Sequence, residues 1–132
     1  MKNITFEEFK KLPEYQDFEK ENPSFGFLKV QVFTADQAIP LPDVEIFVNR
    51  EYGDYNISFF RGVTDSSGIV DNIKLPSPGG DYNMEAQEIP KFAQYDVSAC
   101  CERLNAIKKY KVQIFSGVKI VQYVKMNKEG DI

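Results

Sequence analysis

The sequence predicts an all-β protein in which about seven short strands pack as a two-layer Greek-key sandwich. Apolar and polar residues alternate in successive segments, which is the two-residue period of a strand with one buried face. Residues that favour turns separate these segments at short intervals. The alternation is clearest at Leu28, Val30 and Val32, and again at Val44, Ile46 and Val48. A chain of 132 residues has room for one such domain.

Residues 1–25 are predicted to form a short helical arm ahead of the sandwich. Thr5 and Glu8 have the spacing of a capping box, in which each side chain accepts from the other residue's backbone amide. Pro13 ends this helix and can begin a second one, which Pro23 stops.

The aromatic residues of this arm share one side of it. We expect that side to pack on the sandwich, and docking of a partner is the alternative. The residues are Phe6, Phe9, Tyr15 and Phe18.

The sandwich domain is predicted over residues 26–126. Its strands are expected at 27–34, 43–51, 55–63, 69–75, 92–100, 110–114 and 118–126. Residues 76–91 read as a long irregular loop, and 102–109 fit either a turn or a distorted helical bend. Residues 127–132 are expected to be a frayed tail.

Charge and hydropathy exclude several partners. The formal net charge of −4 argues against nucleic acid, because a basic stripe would be needed to neutralise phosphates. No apolar run approaches the roughly 20 residues that cross a bilayer. The first residues are charged and lack the apolar part of a signal peptide. The sequence therefore predicts a cytoplasmic protein with no membrane partner.

The two cysteines, Cys100 and Cys101, are adjacent. Neighbouring residues of a strand point to opposite faces, so a disulfide between them would be strained. We therefore expect two free thiols in a reducing compartment.

Part of the chain resembles a known family. The segments Pro42-Asp43-Val44-Glu45-Ile46 and Val63-Thr64-Asp65-Ser66-Ser67-Gly68 are similar to carboxypeptidase-regulatory-like domains, which have the transthyretin-like (prealbumin-like) sandwich fold. The closer resemblance is to a clostridial subset that includes the segment preceding the protease part of spore-cortex-lytic enzymes. Phe92-Ala93-Gln94-Tyr95-Asp96-Val97 and the segment 112–122 carry it.

This resemblance implies a prealbumin-like sandwich of seven strands, from a Gram-positive bacterium. It also implies an accessory role in spore or cell-wall processes, with the spore or the mother cell as the compartment. The motifs consist of turn and core residues, so they specify the fold and not an activity.

The chain contains no histidine. This removes Ser-His-Asp and Cys-His catalytic arrangements and the usual zinc sites. By the resemblance, it also removes the chemistry of the transthyretin-like hydroxyisourate hydrolases and of the intradiol dioxygenases, which use histidines. We therefore expect a protein that is not an enzyme and that uses no cofactor.

One chemical alternative depends on carboxylates. Asp65 and Asp71 flank the turn Ser66-Ser67-Gly68, and a pair of carboxylates can perform acid–base hydrolysis or bind a hard cation. An aspartate in a hairpin turn more often accepts from its own backbone, so the metal site is a weak candidate.

Four phenylalanines are the predicted binding residues. If Leu28 and its alternating neighbours face inward, then the intervening aromatic side chains face outward, where an antiparallel sandwich normally has polar residues. The N-terminal arm, a second copy of the chain or a protein partner could cover them. A cell-wall glycan such as peptidoglycan is a further alternative. The residues are Phe27, Phe33, Phe47 and Phe115.

Overall fold

The structure, a computed structural model, describes residues 1–79 and 91–127. Two β-sheets pack face to face, with two short helices at one end, so the predicted all-β sandwich is confirmed. In chain order the elements are β1 (Lys2–Thr5), α1 (Phe6–Phe9), α2 (Tyr15–Glu21), β2 (Ser24–Thr34), β3 (Glu45–Tyr52), β4 (Tyr55–Val63), β5 (Ile69–Ser77), β6 (Ala93–Cys101), β7 (Ala106–Ile114) and β8 (Lys119–Met126).

One sheet has five strands in the order β1-β4-β3-β6-β7, and the other has three in the order β5-β2-β8. Most neighbours are antiparallel, but β1 runs parallel to β4 and β8 runs parallel to β2. The alternating apolar residues meet between the sheets. Leu28, Ile46 and Tyr95, from three different strands, are completely buried there. The two sheets therefore share one core and present two outer faces.

The turn predicted before β5 is present. Gly68 has φ 73°, and an added Cβ would collide with the carbonyl oxygen of Val32, so a side chain has no room there. The Asp65 carboxylate accepts from the amides of Ser67 and Ile69 at 2.9 and 3.0 Å. These contacts explain why this sequence makes a tight turn.

The N-terminal arm differs in part from the prediction. The capping box is confirmed, because Thr5 caps α1 and bonds Glu8 in both directions. However, β1 precedes the first helix, and this strand is too short to show an alternating pattern. The second helix, α2, begins at Tyr15, two residues after Pro13. The aromatic side of the arm is buried beside β3 and β4 and includes Phe9 and Phe18.

Arg50 connects the arm to the sandwich core. Its guanidinium carbon lies 5.1 Å from the centre of the Phe18 ring and 5.4 Å from that of Tyr95. The same group donates to the Asn22 side-chain oxygen at 2.9 Å. Cation–π contacts of this kind add to the packing that holds the arm in place.

Several predicted boundaries shift. Residues 102–105 form the turn of a hairpin, and residues from Ala106 onward are β7 rather than a helical bend. Pro76 and Ser77 belong to β5. The rest of the predicted loop, residues 80–90, and most of the predicted tail, residues 128–132, lie outside the described residues. Within the described part of the chain, no helix has the length and apolar character of a membrane span.

Candidate functional site

The four outward phenylalanines do not form one surface. Phe27 and Phe33 lie on the outer face of the three-stranded sheet, whereas Phe47 lies on the outer face of the five-stranded sheet. Phe115 follows β7 in the turn toward β8 and packs on Phe92, with ring centres 5.7 Å apart. All four side chains are partly exposed.

The N-terminal arm does not cover these phenylalanines. Its buried cluster packs instead on Ile57, Tyr52, Tyr55 and Phe59 of the five-stranded sheet. The arm therefore closes the sandwich beside β3 and β4 and leaves the outer face of the three-stranded sheet open.

That outer face combines aromatic and cationic side chains, and we call it the aromatic–lysine face. The strand register places Phe27 between Lys74 and Lys119, and Phe33 beside Lys125. The aromatic–lysine face consists of Phe25, Phe27, Lys29, Phe33, Lys74, Lys119, Val121, Tyr123 and Lys125.

Two of its aromatic side chains are exposed to solvent. Phe25 is 39 % exposed and Tyr123 is 56 % exposed. The rings of Phe33 and Tyr123 meet edge to face, 6.3 Å apart at 66°. The Lys74 ammonium lies 4.2 Å from the centre of the Phe25 ring. Exposed apolar rings that lie together are typical of contact surfaces, because a partner that covers them removes apolar surface from water.

Asp71 lies at the rim of this face and is held by two contacts. Its carboxylate is 2.6 Å from the Lys119 ammonium and accepts from the Asn72 amide at 2.7 Å. The hydrogen bond from Lys119, followed by that from Asn72, lowers the pKa of Asp71. The Asp71 carboxylate therefore contacts groups of the chain itself, the Lys119 ammonium and the Asn72 amide.

The two aspartates of the predicted carboxylate pair have separate partners. Asp65 serves its own turn, and Asp71 pairs with Lys119. Among residues 1–79 and 91–127, no three acidic or cysteine side chains converge as a metal site would require.

A concave region that the sequence did not indicate lies on the five-stranded sheet, and we call it the outer cleft. Its volume is about 650 Å³. Glu45 pairs with Arg61 at 3.3 Å, and the Arg103 guanidinium donates to the carbonyl oxygen of Pro42 at 2.5 Å. Residues from three separate segments line the cleft: Asp43, Glu45, Arg61, Gly62, Val63, Cys100, Glu102 and Arg103.

Both cysteines are free thiols, as predicted. Cys101 is buried in the core, and Cys100 borders the outer cleft. Burial, reinforced by the nearby Glu45 carboxylate, raises the pKa of the Cys100 thiol. A raised pKa keeps the thiol protonated at neutral pH, which is the opposite of what a nucleophilic cysteine needs.

Comparison by sequence finds no family model and no curated protein that matches this chain. The prediction of a clostridial spore-cortex likeness therefore stays a prediction.

Comparison by structure finds the transthyretin-like fold. 5-Hydroxyisourate hydrolase from Klebsiella pneumoniae is 13 % identical, with a TM-score of 0.49 over 79 % of this chain and 92 % of that chain. Transthyretin from Sparus aurata is 15 % identical, with a TM-score of 0.45 over 73 % and 89 %. (S)-allantoin synthase is 13 % identical, with a TM-score of 0.51 over 81 % of this chain but only 42 % of that chain.

One of these neighbours corrects the expectation that the chain is not an enzyme. (S)-allantoin synthase is an enzyme, and its structure shares this fold with a TM-score of 0.51. Because one fold carries many functions, the sandwich gives no ground for excluding catalysis. The expectation was wrong because it inferred the absence of any catalytic activity from the absence of histidine.

Proposed function

We propose that this chain is a protein-interaction module and that its contact surface is the aromatic–lysine face. The observation that carries the proposal is the group of partly exposed rings on the outer side of β2 and β8. The arm, which is the covering element the sequence offered, packs elsewhere. Burying Phe25, Phe33 and Tyr123 against a partner would remove apolar surface from water and stabilise the complex.

The charges on this face favour an acidic partner. The face carries four lysines, and one of them, Lys119, is paired with Asp71. The chain as a whole has a net charge of −4, so this face opposes the overall sign. A second copy that met it face to face would bring like charges together, which disfavours that arrangement.

The glycan alternative is weaker. Sugar rings stack on flat aromatic platforms, whereas the rings of Phe33 and Tyr123 meet at 66°. The accessory role in spore or cell-wall processes and the cytoplasmic location stay predictions.

Site-specific photo-crosslinking in the cells that produce the chain tests the proposal. The variant Phe33→p-benzoylphenylalanine places the photoreactive group in the aromatic–lysine face, and Phe47→p-benzoylphenylalanine is the matched control on the other sheet. We expect a discrete protein adduct from position 33 and little or none from position 47.

The adduct mass also identifies the partner, including a second copy of the chain. Equal adducts from both positions, or none from position 33, would show that this face is not the contact surface.

A further inference from the structure

We infer that the free edge of β8 binds an extended acidic segment of a partner protein, which adds to the three-stranded sheet as a further strand. This inference rests on the proposed function and specifies the chemistry of the partner. Four observations carry it: the direction of the main-chain groups of β8, the regularity of that strand, its exposed side chains and the charge around it.

The main-chain groups of every second residue of β8 point away from the sheet. β8 pairs with β2, and no other described strand pairs with it. The carbonyl oxygens of Val118 and Met126 accept from the amides of Phe27, in β2, and of Ala35, directly after β2, at 2.9 and 3.2 Å. Main-chain direction alternates along a strand, so even-numbered residues bond β2, and the amides and carbonyls of Val121 and Tyr123 face the open edge.

A side-chain contact supports this direction. The Gln122 side-chain amide donates to the carbonyl oxygen of Tyr123 at 2.9 Å. That carbonyl therefore faces away from β2, and an added strand would share it with the Gln122 side chain or replace that donor.

Among the edge strands of the described residues, β7 and β8 lack the features that block strand addition, and of these two only β8 belongs to the aromatic–lysine face. β1 has only four residues, and β5 has a register shift opposite β2 and contains Pro76. Short length, bulges and prolines all hinder pairing. The eight residues of β8 include no proline or glycine, and their register with β2 is unbroken.

The side chains of β8 offer apolar contact as well. Val121 is 41 % exposed and Tyr123 is 56 % exposed, and both lie on the outer face. An added strand would cover part of both side chains, so main-chain pairing and apolar burial would act together.

Charge identifies the occupant. β7 and β8 are edge strands on the same side of the sandwich and pack against each other; β7 contains three lysines, β8 contains two, and neither has an acidic residue. Lys111 and Lys119 pair with Asp96 and Asp71, and the other three make no ion pair with a described residue. An acidic strand would balance this charge, whereas β8 of a second copy would add two more lysines beside it.

The test uses the full chain and a synthetic probe, an acetylated heptapeptide in which Glu and Val alternate. Two further peptides carry N-methyl groups, one on every Glu amide and the other on every Val amide. A strand presents every second amide to its neighbour, so only one of the two should lose binding, by about tenfold or more. Amide hydrogen exchange should slow at Val121 and Tyr123 when the peptide is bound.

Chain variants form a second arm. Val121→Pro removes an amide that faces the open edge, so it should abolish peptide binding. The chain should still fold, because edge strands tolerate proline where the missing amide would face solvent. Gln122→Pro should instead destabilise the chain, because that amide bonds β2. Lys125→Glu should weaken peptide binding several-fold.

Several outcomes would overturn the inference. If both N-methylated peptides bind equally, the contact is charge alone; if a Lys–Val peptide binds as well, the occupant is not acidic. Concentration-dependent dimers that protect Val121 without peptide would assign the edge to a second copy. If the Glu–Val peptide does not bind but position 33 still gives a crosslinked adduct, strand addition is rejected and the proposed function is retained.

Discussion

The two outer faces of the sandwich differ in how their exposed aromatic side chains are surrounded by charged groups. On the five-stranded sheet, Phe47 lies under the Arg61 guanidinium, 5.2 Å away, and Arg61 is paired with Glu45. On the three-stranded sheet, Phe25 lies beneath Lys74, which has no carboxylate partner among the described residues. One face balances its charges within the chain, and the other keeps apolar and cationic groups available.

The difference shows that an outward aromatic residue is not by itself a sign of an interface. Phe47 and Phe33 have the same position in the alternating pattern, and both side chains are partly exposed. Their surroundings separate them, because a ring already covered by a neutralised guanidinium gains less from a partner. For this reason we propose that a partner contacts the three-stranded face.

The largest expected effect tests whether the two faces belong to one cooperative unit. Burial raises the pKa of Tyr95, in the shared core, from 10.0 to about 12. The folded state favours the neutral phenol. The contribution of Tyr95 to the free energy of unfolding is therefore fully present below pH 10 and is lost as the pH rises toward 12. The loss at this residue amounts to about 2–3 kcal/mol, since each pKa unit corresponds to about 1.4 kcal/mol.

Denaturant unfolding at pH 9 and at pH 12, followed by circular dichroism, measures this. Tyr95→Phe should reduce the alkaline loss. Two separate transitions would mean that the faces unfold independently and that the comparison concerns two units.

The next effect concerns the partner. Phe33→Asp should weaken partner binding by about tenfold or more, because it places a carboxylate at the centre of an apolar contact with an acidic protein. Phe47→Asp should change binding by less than about twofold. Titration of the crosslinked partner, once identified, against both variants gives the two affinities, and a larger loss for Phe47→Asp would reverse the assignment of the faces.

A smaller effect should appear in the association rate. Lys125→Glu should slow association several-fold and weaken its dependence on ionic strength, because charges at a contact surface steer the encounter. Arg61→Glu is the control of equal charge change on the other face. Stopped-flow measurements in low and high salt compare them, and equal slowing would mean that only the net charge of the chain matters.

The smallest effect concerns the rim of the aromatic–lysine face. The pKa of Asp71 is lowered below its ordinary 3.8, chiefly by the hydrogen bond from Lys119. Its contribution to stability is therefore present above pH 3.8 and is lost as the pH falls through the lowered value. Because the pair is exposed, the effect is small. Melting curves of the chain and of Asp71→Asn should differ slightly at neutral pH and converge in strong acid.

Alternation predicted the layered fold well. Residues 55–63 were assigned as a strand and form β4, and the inward set around Leu28 is buried as expected. Alternation also separated inward from outward side chains on each strand, but it contains no information about which sheet a strand joins. Phe33 and Phe47 were therefore grouped although they lie on opposite faces.

The remaining features arise from contacts that are distant in sequence. β1 is too short for a pattern, and it exists because it pairs with β4 some 53 residues later, as between Asn3 and Asn56. The outer cleft brings Asp43 near Arg103. No local signal predicts such neighbours.

Hydroxyl-radical footprinting of the full chain, purified and in its native complex, tests the central claim most directly, since it labels exposed aromatic side chains. We expect Phe25, Phe33 and Tyr123 to become protected in the complex while Phe47 keeps its reactivity. Protection of Phe47 with the other three unchanged would place the contact on the five-stranded face and contradict the account.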